Sequence, residues 1–344
     1  MWGRPKLWIM LLALPLFLLM ADTVYWWVVQ RNLERGFAAW QAVQKTAGWS
    51  LQHRPPAPGG WPLAATLTIP AVSIAGGSPD VRGQLAWSAE TLVLRVPLAS
   101  PGSLEAVPGG RQTVRLDDSP EIVFSADRLQ LEMPLEAEPW PSFVDVAVQS
   151  LRAETPFGEA SLQGLRLHLA VEPKARSDDP ALTLSLTAEG IGLPPGIPRP
   201  LGPRVASLAM EAMLSGPLPV GRTMAEQAAA WRDGGGSLEI RHLTMIWGSL
   251  DLTASATLAL DDQLQPMGAG TARLVGYAEA LDALTAHAAI SRSAATATKA
   301  VLSLLAHTPD DGGRADVEVP LTLQYRTLSM RQVPLLRLPE VLWP

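Results

Sequence analysis

"IWGSLDLTASATLAL" (residues 246–260) is apolar at Leu250, Leu252, Ala254, Ala256, Leu258 and Leu260 and mostly polar at the positions between. Successive side chains of a strand point to opposite faces, so this spacing makes one face dry and the other wet. The same rhythm recurs along the chain. It runs through Leu92, Leu94, Val96 and Leu98, through Leu129, Leu131, Met133 and Leu135, and through Val144, Val146 and Val148. It returns at Leu165, Leu167, Leu169 and Val171, at Leu182, Leu184 and Leu186, and at Val317, Val319, Leu321, Leu323 and Tyr325. Two-faced strands belong to antiparallel sheets, because parallel sheets are covered on both sides and read as unbroken apolar runs. The expected fold is mainly β with a few helices (α+β): an N-terminal transmembrane helix, then long, twisted antiparallel sheets forming an open β groove or a sandwich.

Composition agrees. Of 344 residues only 17% are charged and 47% are hydrophobic, and 31 Pro with 28 Gly suggest many short elements closed by turns. A net charge of -6 without a dense Lys/Arg run offers no electrostatic footprint for nucleic acid. Cysteine is absent, which removes disulfides, thiolate metal sites and thiol nucleophiles.

Arg4 and Lys6 precede an apolar run from Leu7 to Val29, broken only by Pro15 and by Asp22-Thr23. At about 1.5 Å per residue such a helix spans about 30 Å, enough to cross a bilayer. Leu19 and Ala21 do not make the pair of small residues that a cleaved signal peptide ends on, so the run reads as a retained anchor. Trp2 and Trp8 at one end, with Tyr25, Trp26 and Trp27 at the other, are the expected membrane-interface residues. The flanking charges put the N-terminus in the cytoplasm and the bulk of the chain in the periplasm of a single-pass inner-membrane protein. The expected domains are an anchor over 1–30, a juxtamembrane helix over 31–49 ending at Gly48, and a β-rich domain over 50–344 with room for a subdivision near 190–235.

Two further helical regions interrupt the β pattern. "GRTMAEQAAAWRDGGG" from Gly221 carries Thr223 as a cap, Glu226 three residues on and a triple-glycine stop. From about Gly276 to His307, two helices joined near Ile290 to Arg292 are expected. Pro97, Pro134 and Pro320 fall inside strand patterns and mark edge strands or bulges, since proline cannot donate to the ladder.

The search for chemistry returns little. His53, His168, His242, His287 and His307 lack metal-pair spacing, and no nucleophile elbow or phosphate loop occurs. The pairs Asp117-Asp118, Asp178-Asp179, Asp261-Asp262 and Asp310-Asp311 sit beside turn residues, where Asp binds local backbone amides. No catalytic residue, cofactor or metal site is expected.

"AGW" at 47–49, "GGWP" at 59–62, "IWGSLDLTASATLALDDQLQPMGAGTARLVGY" and the terminal "PLLRLPEVLWP" carry a resemblance. The chain resembles an uncharacterised bacterial family, a domain of unknown function, of inner-membrane-anchored envelope proteins. More remotely, the L-x-L-x-A-x-A-x-L-x-L-D run is similar to strand units of AsmA-like proteins, whose apolar β grooves are associated with lipid handling. The anchor, the alternating strands and the lack of reactive groups lead us to expect a non-enzymatic envelope protein holding or shielding lipid, with the alternating set Leu250, Leu252, Leu258, Leu260, Leu321, Leu323 and Tyr325 lining the groove. Two alternatives stand beside it: a scaffold that binds another envelope protein through exposed edge strands, and a hydrolase whose site is assembled from residues far apart in sequence.

Overall fold

Local signals place the helices. Pro15 and Gly36 do not interrupt the helix, and the whole segment forms one 43-residue helix, α1 (Arg4–Thr46). The stretches expected as a separate anchor and juxtamembrane helix therefore share one continuous rod. Its polar interruption is accommodated because the Thr23 hydroxyl donates to the Leu19 carbonyl at 2.7 Å. It ends just before Gly48, whose φ of 86° is open to glycine at little cost. The second helix, α2 (Met224–Asp233), starts as expected: the Thr223 hydroxyl accepts the Glu226 amide at 3.1 Å. The expected helical pair is present as α3 (Tyr277–Ala286) and α4 (Arg292–Leu305).

The computed structural model describes residues 4–76, 85–117, 119–135, 141–176, 179–216, 223–287, 292–306, 314–330 and 333–343. In chain order the strands are β1 (Ser50–Gln52), β2 (Ala57–Gly59), β3 (Ala64–Gly76), β4 (Leu85–Pro97), β5 (Ser103–Leu116) and β6 (Ile122–Ser125). Then come β7 (Arg128–Pro134), β8 (Phe143–Thr155), β9 (Gly158–Val171), β10 (Pro180–Gly192), β11 (Arg204–Ser215) and β12 (Ser237–Trp247). The last are β13 (Leu250–Leu260), β14 (Pro266–Val275), β15 (Asp316–Gln324), β16 (Thr327–Met330) and β17 (Val333–Arg337).

Among the described residues these strands make one antiparallel sheet of 17 strands, in which sequence neighbours pair except β1 with β2 and β6 with β7. Short β1 and β2 lie along the outer side of β3, while β6 and β7 share one lane between β5 and β8. Directly opposed residues of an antiparallel pair point to the same side, so a row can be followed across the sheet. One such row reads Leu67, Leu94, Ala106, Leu131, Val146, Leu167, Leu186, Met210, Leu243, Ala254, Ala272, Val319. Every member is apolar. A row on the opposite side reads Arg95, Glu105, Glu132, Asp145, His168, Ser185, Glu211, His242 and is polar throughout. The sheet therefore has one dry face and one wet face along its whole width.

Irregularities cross the sheet without disturbing this division. Ala71 (φ 52°), Ser150 (φ 52°) and Gly190 (φ 61°) each fall at a skipped register position. The apolar residues on either side are three apart rather than two: Ile69 and Val72, Val148 and Leu151, Ala188 and Ile191. The register on either side is unchanged, so the paired strands reverse their alternation together and the inward set keeps facing inward.

Among the described residues, helices cover the dry face at its two ends and, through α2, at one rim of β11–β13. At the first, α1 lies on β3 and β4, burying Leu33 with Leu67, Ile69, Val72 and Val96, and partly burying Trp26, Val29 and Phe37. At the last, α3 and α4 close over β13–β16, burying Tyr277 and Leu302 with Ala272, Val317, Val319 and Met330. The chain exposes 21675 Å², whereas a compact monomer of its 36.8 kDa would expose roughly 13,600 Å². That excess is the mark of a single curved layer with a projecting helix.

The prolines depart from expectation. Pro97 and Pro134 close strands that are paired on both sides, and Pro320 lies opposite Thr271 in the middle of β15. None lies on an outermost strand, yet each has one flank open: β4 pairs with β5 only up to Arg95, and β7 with β8 only up to Glu132. The missing N–H is tolerated at Pro320 because β16 pairs with β15 only from Leu321 onward, leaving that flank open.

Candidate functional site

Between the two covered ends, the dry face of β7 to β12 carries no helix among the described residues except at the rim where α2 lies against Leu214 and Leu238. Leu131, Val146, Leu167, Leu186, Met210 and Leu243 are all half-buried. In the same row under the helices, Leu67 is 3% exposed and Val319 2%. Only small or recessed members of the open region, such as Val148, Ala188 and Ala212, sink below the surface. Strand spacing and rise make this open region roughly 24 Å by 30 Å. An apolar patch of that extent on a soluble surface ordinarily belongs to a binding site.

At one edge the open face runs into a cleft. Leu182, on β10, is opposite Leu214, which is followed across the sheet by Leu238 and Leu258. Those last three, with Leu260, Trp231 of α2 and Trp343 of the C-terminal tail, line an apolar cavity of about 310 Å³. Such a volume is at the lower end of the roughly 300–1,000 Å³ of small-molecule pockets. The tail forms its wall because the Trp343 indole donates to the Leu264 carbonyl at 2.8 Å.

The seven residues expected to line a groove are not gathered into one site. Leu258 and Leu260 line the cleft. Leu252 and Leu321 pack into the core beneath α3 and α4, and Leu323 is buried. Leu250 is half-buried at the far end of β13. Tyr325 is 84% exposed, because the strand stops at Gln324 and Tyr325-Arg326 form a turn with both φ positive. The open face is instead carried by β7–β12. Among these, β11 and β12 escaped sequence reading, although Leu208, Met210, Ala212 and Leu214 alternate; Ala209 and Met213 on the wet side blur the contrast.

Of the expected interface residues, Trp2 and the Trp8 side chain lie outside the described residues. Trp26 packs into the first core cluster, its indole N–H donating to the Ala64 carbonyl at 2.9 Å. Tyr25 reaches the Leu98 carbonyl at 3.4 Å, and Trp27 stays half exposed with the Arg31 guanidinium 4.8 Å above its ring. Before them α1 projects from the sheet, exposing Leu14, Leu16, Phe17, Leu18 and Met20. Among the described residues, no helix is long and apolar enough to cross a membrane.

Chemistry-bearing groups lie on the wet face. The His168 Nδ1 is 2.6 Å from an Asp145 carboxylate oxygen, and Ser185 is the next residue in that row. Both His168 and Asp145 are about half exposed, at 50% and 44%, so the pair stands in open solvent rather than in a pocket that could hold an acyl substrate. Asp261 acts as a turn residue, its Oδ1 accepting the amides of Gln263 and Gln265 at 2.8 Å each. At the far end of the sheet Asp316, 2.6 Å from Arg273, raises that guanidinium's pKa by hydrogen bonding and by charge. Among the described residues no cluster of His, Asp and Glu is placed to hold a metal ion.

Residues 26–339 match the family described as "Uncharacterized protein conserved in bacteria (DUF2125)". The chain belongs to that family. No curated protein and no solved structure matches it.

Proposed function

We propose that this DUF2125 protein is a membrane-anchored, non-enzymatic protein of the bacterial envelope that shields a lipid acyl chain on the open dry face of its sheet. One observation carries the reading: the row Leu131, Val146, Leu167, Leu186, Met210, Leu243 is apolar throughout and has no helix over it. An alkyl chain laid along it gains about 0.8 kcal/mol for each methylene removed from water. The half-buried leucines gain further from the same contact.

The projecting apolar part of α1 supports anchoring, with Arg4 and Lys6 keeping the N-terminus cytoplasmic and the sheet in the periplasm. A one-sided β groove beside an N-terminal helix is also the arrangement that AsmA-like proteins bring to lipid handling. Native mass spectrometry with lipid extraction on the full chain, taken from membranes in mild detergent, tests the reading. A phospholipid or fatty acyl adduct near one per chain supports it. An adduct-free mass, with delipidated protein whose melting is unmoved by returned lipid, overturns it.

A further inference from the structure

Antiparallel strands have two rims, and α1 tells them apart. Trp26 bonds to Ala64, the first residue of β3, whereas the residue after α1's last turn, Trp49, packs on Gly76 at the end of that strand. The apolar segment before Tyr25 therefore leaves the sheet at the rim formed by the start of β3. The starts of β12 and β14 and the ends of β7, β11, β13 and β15 lie on this near rim, as do α2 and the C-terminal tail.

Large apolar side chains stand exposed along its full width. Leu63 is 76% exposed in the turn before β3, Leu135 45% after β7 and Met224 42% at the start of α2. Met267 is 41% exposed at the start of β14, Tyr325 84% in the turn after β15 and Leu342 81% in the tail. Leu63, Leu135 and Tyr325 stand in turns, where polar residues are the norm, while Met224 also lines the apolar cavity. Ion pairs stand at both rims, Arg232–Asp233 and Arg326–Glu340 at the near one and Arg273–Asp316 and Arg111–Glu154 at the far one, where Leu85, Leu116, Phe157 and Ile246 are also exposed.

We infer that the near rim is a membrane-contact surface, seated in the interfacial layer of the bilayer that α1 enters. The inference rests on the anchoring part of the proposed function. Its occupant is a lipid bilayer rather than a protein, because the rim residues continue the apolar surface of α1 at the level of Tyr25 and Trp27, where amphipathic aromatics meet headgroups. Seating the rim there sets the apolar cavity beside Trp343 against the membrane, and through Leu258, Leu238, Leu214 and Leu182 it joins the open dry face. An acyl chain could then pass between bilayer and sheet without crossing water.

The absence of cysteine makes the test direct, since each introduced thiol is unique. The full chain carrying Leu63→Cys, Tyr325→Cys or Leu342→Cys, with Leu116→Cys and Phe157→Cys as far-rim references, is labelled with an environment-sensitive fluorophore. It is then reconstituted into phosphatidylethanolamine–phosphatidylglycerol vesicles containing lipids with shallow nitroxides. Near-rim labels should be blue-shifted and quenched roughly twofold or more, with far-rim labels unquenched, as for groups held at the headgroup boundary. Equal quenching at both rims, or none, overturns the inference. Lipid extraction from the same samples separates the readings: bound lipid with an unquenched near rim overturns the membrane contact alone. A chain that fails to enter vesicles overturns anchoring as well.

Discussion

Gln265 and Val341 hydrogen-bond each other twice: the Gln265 amide donates to the Val341 carbonyl at 3.0 Å, and the Val341 N–H donates to the Gln265 side-chain oxygen at 2.9 Å. A side chain only 6% exposed thus holds the C-terminal tail across the start of β14, as a strand would. Gln265→Ala removes both bonds and should cost about 1–3 kcal/mol locally. Hydrogen exchange at Val341 and Trp343 should accelerate while β8–β10 stay protected. Unchanged exchange in the tail would show that Trp343 alone fastens it.

The contrast between covered and open parts of the dry face has an energetic signature. Leu67→Ala, beneath α1, should cost about 2–5 kcal/mol because a cavity is left in packed core. Leu167→Ala, in the same row but open, should cost about 1 kcal/mol in lipid-free protein, because little additional surface is lost from a packed environment. Urea unfolding of both variants compares them, and equal losses would mean that something covers Leu167.

The Thr223 cap sets the start of α2, which roofs the cavity. Thr223→Ala should lower stability by about 1 kcal/mol, with the loss recovered by Asp or Asn at the same position. Thermal melting of the three variants decides it, and a loss that Asp fails to recover would point to packing rather than capping.

His168 and Asp145 make the one close acid–imidazole contact among the described residues, yet they stand in water on the wet face. His168→Ala should therefore leave lipid occupancy unchanged and alter stability by no more than about 1 kcal/mol. Loss of bound lipid in that variant would move the site to the wrong side of the sheet.

Much of the β architecture was readable because cross-strand pairing preserves a spacing of two: Leu165, Leu167 and Leu169 announce a strand whatever surrounds them. The reading failed where phase slips. Val148 and Leu151 are three apart around Ser150, so simple alternation loses the strand where that residue's positive φ reverses its faces. Tyr325 extended an alternation past its true end, because a turn with two positive φ angles leaves no trace when neither residue is Gly or Asn. The groove residues were misplaced for a different reason. Leu252 and Leu186 carry the same local pattern, and only tertiary placement decides that α3 and α4 cover the first while nothing covers the second. The continuity of α1 was hidden likewise, since an exposed apolar segment and a sheet-packing face can share one helix even across Pro15.

The most direct test of the open dry face is photocrosslinking of the full chain in its native membrane with a phospholipid carrying a photoactivatable group at the acyl terminus, followed by peptide mapping. The expected result is labelling of β9–β12, at Leu167, Leu186, Met210 and Leu243, on the dry side of the sheet. Labelling confined to α1, with those strands unmodified, would contradict it and leave the protein an anchored domain whose sheet meets no lipid.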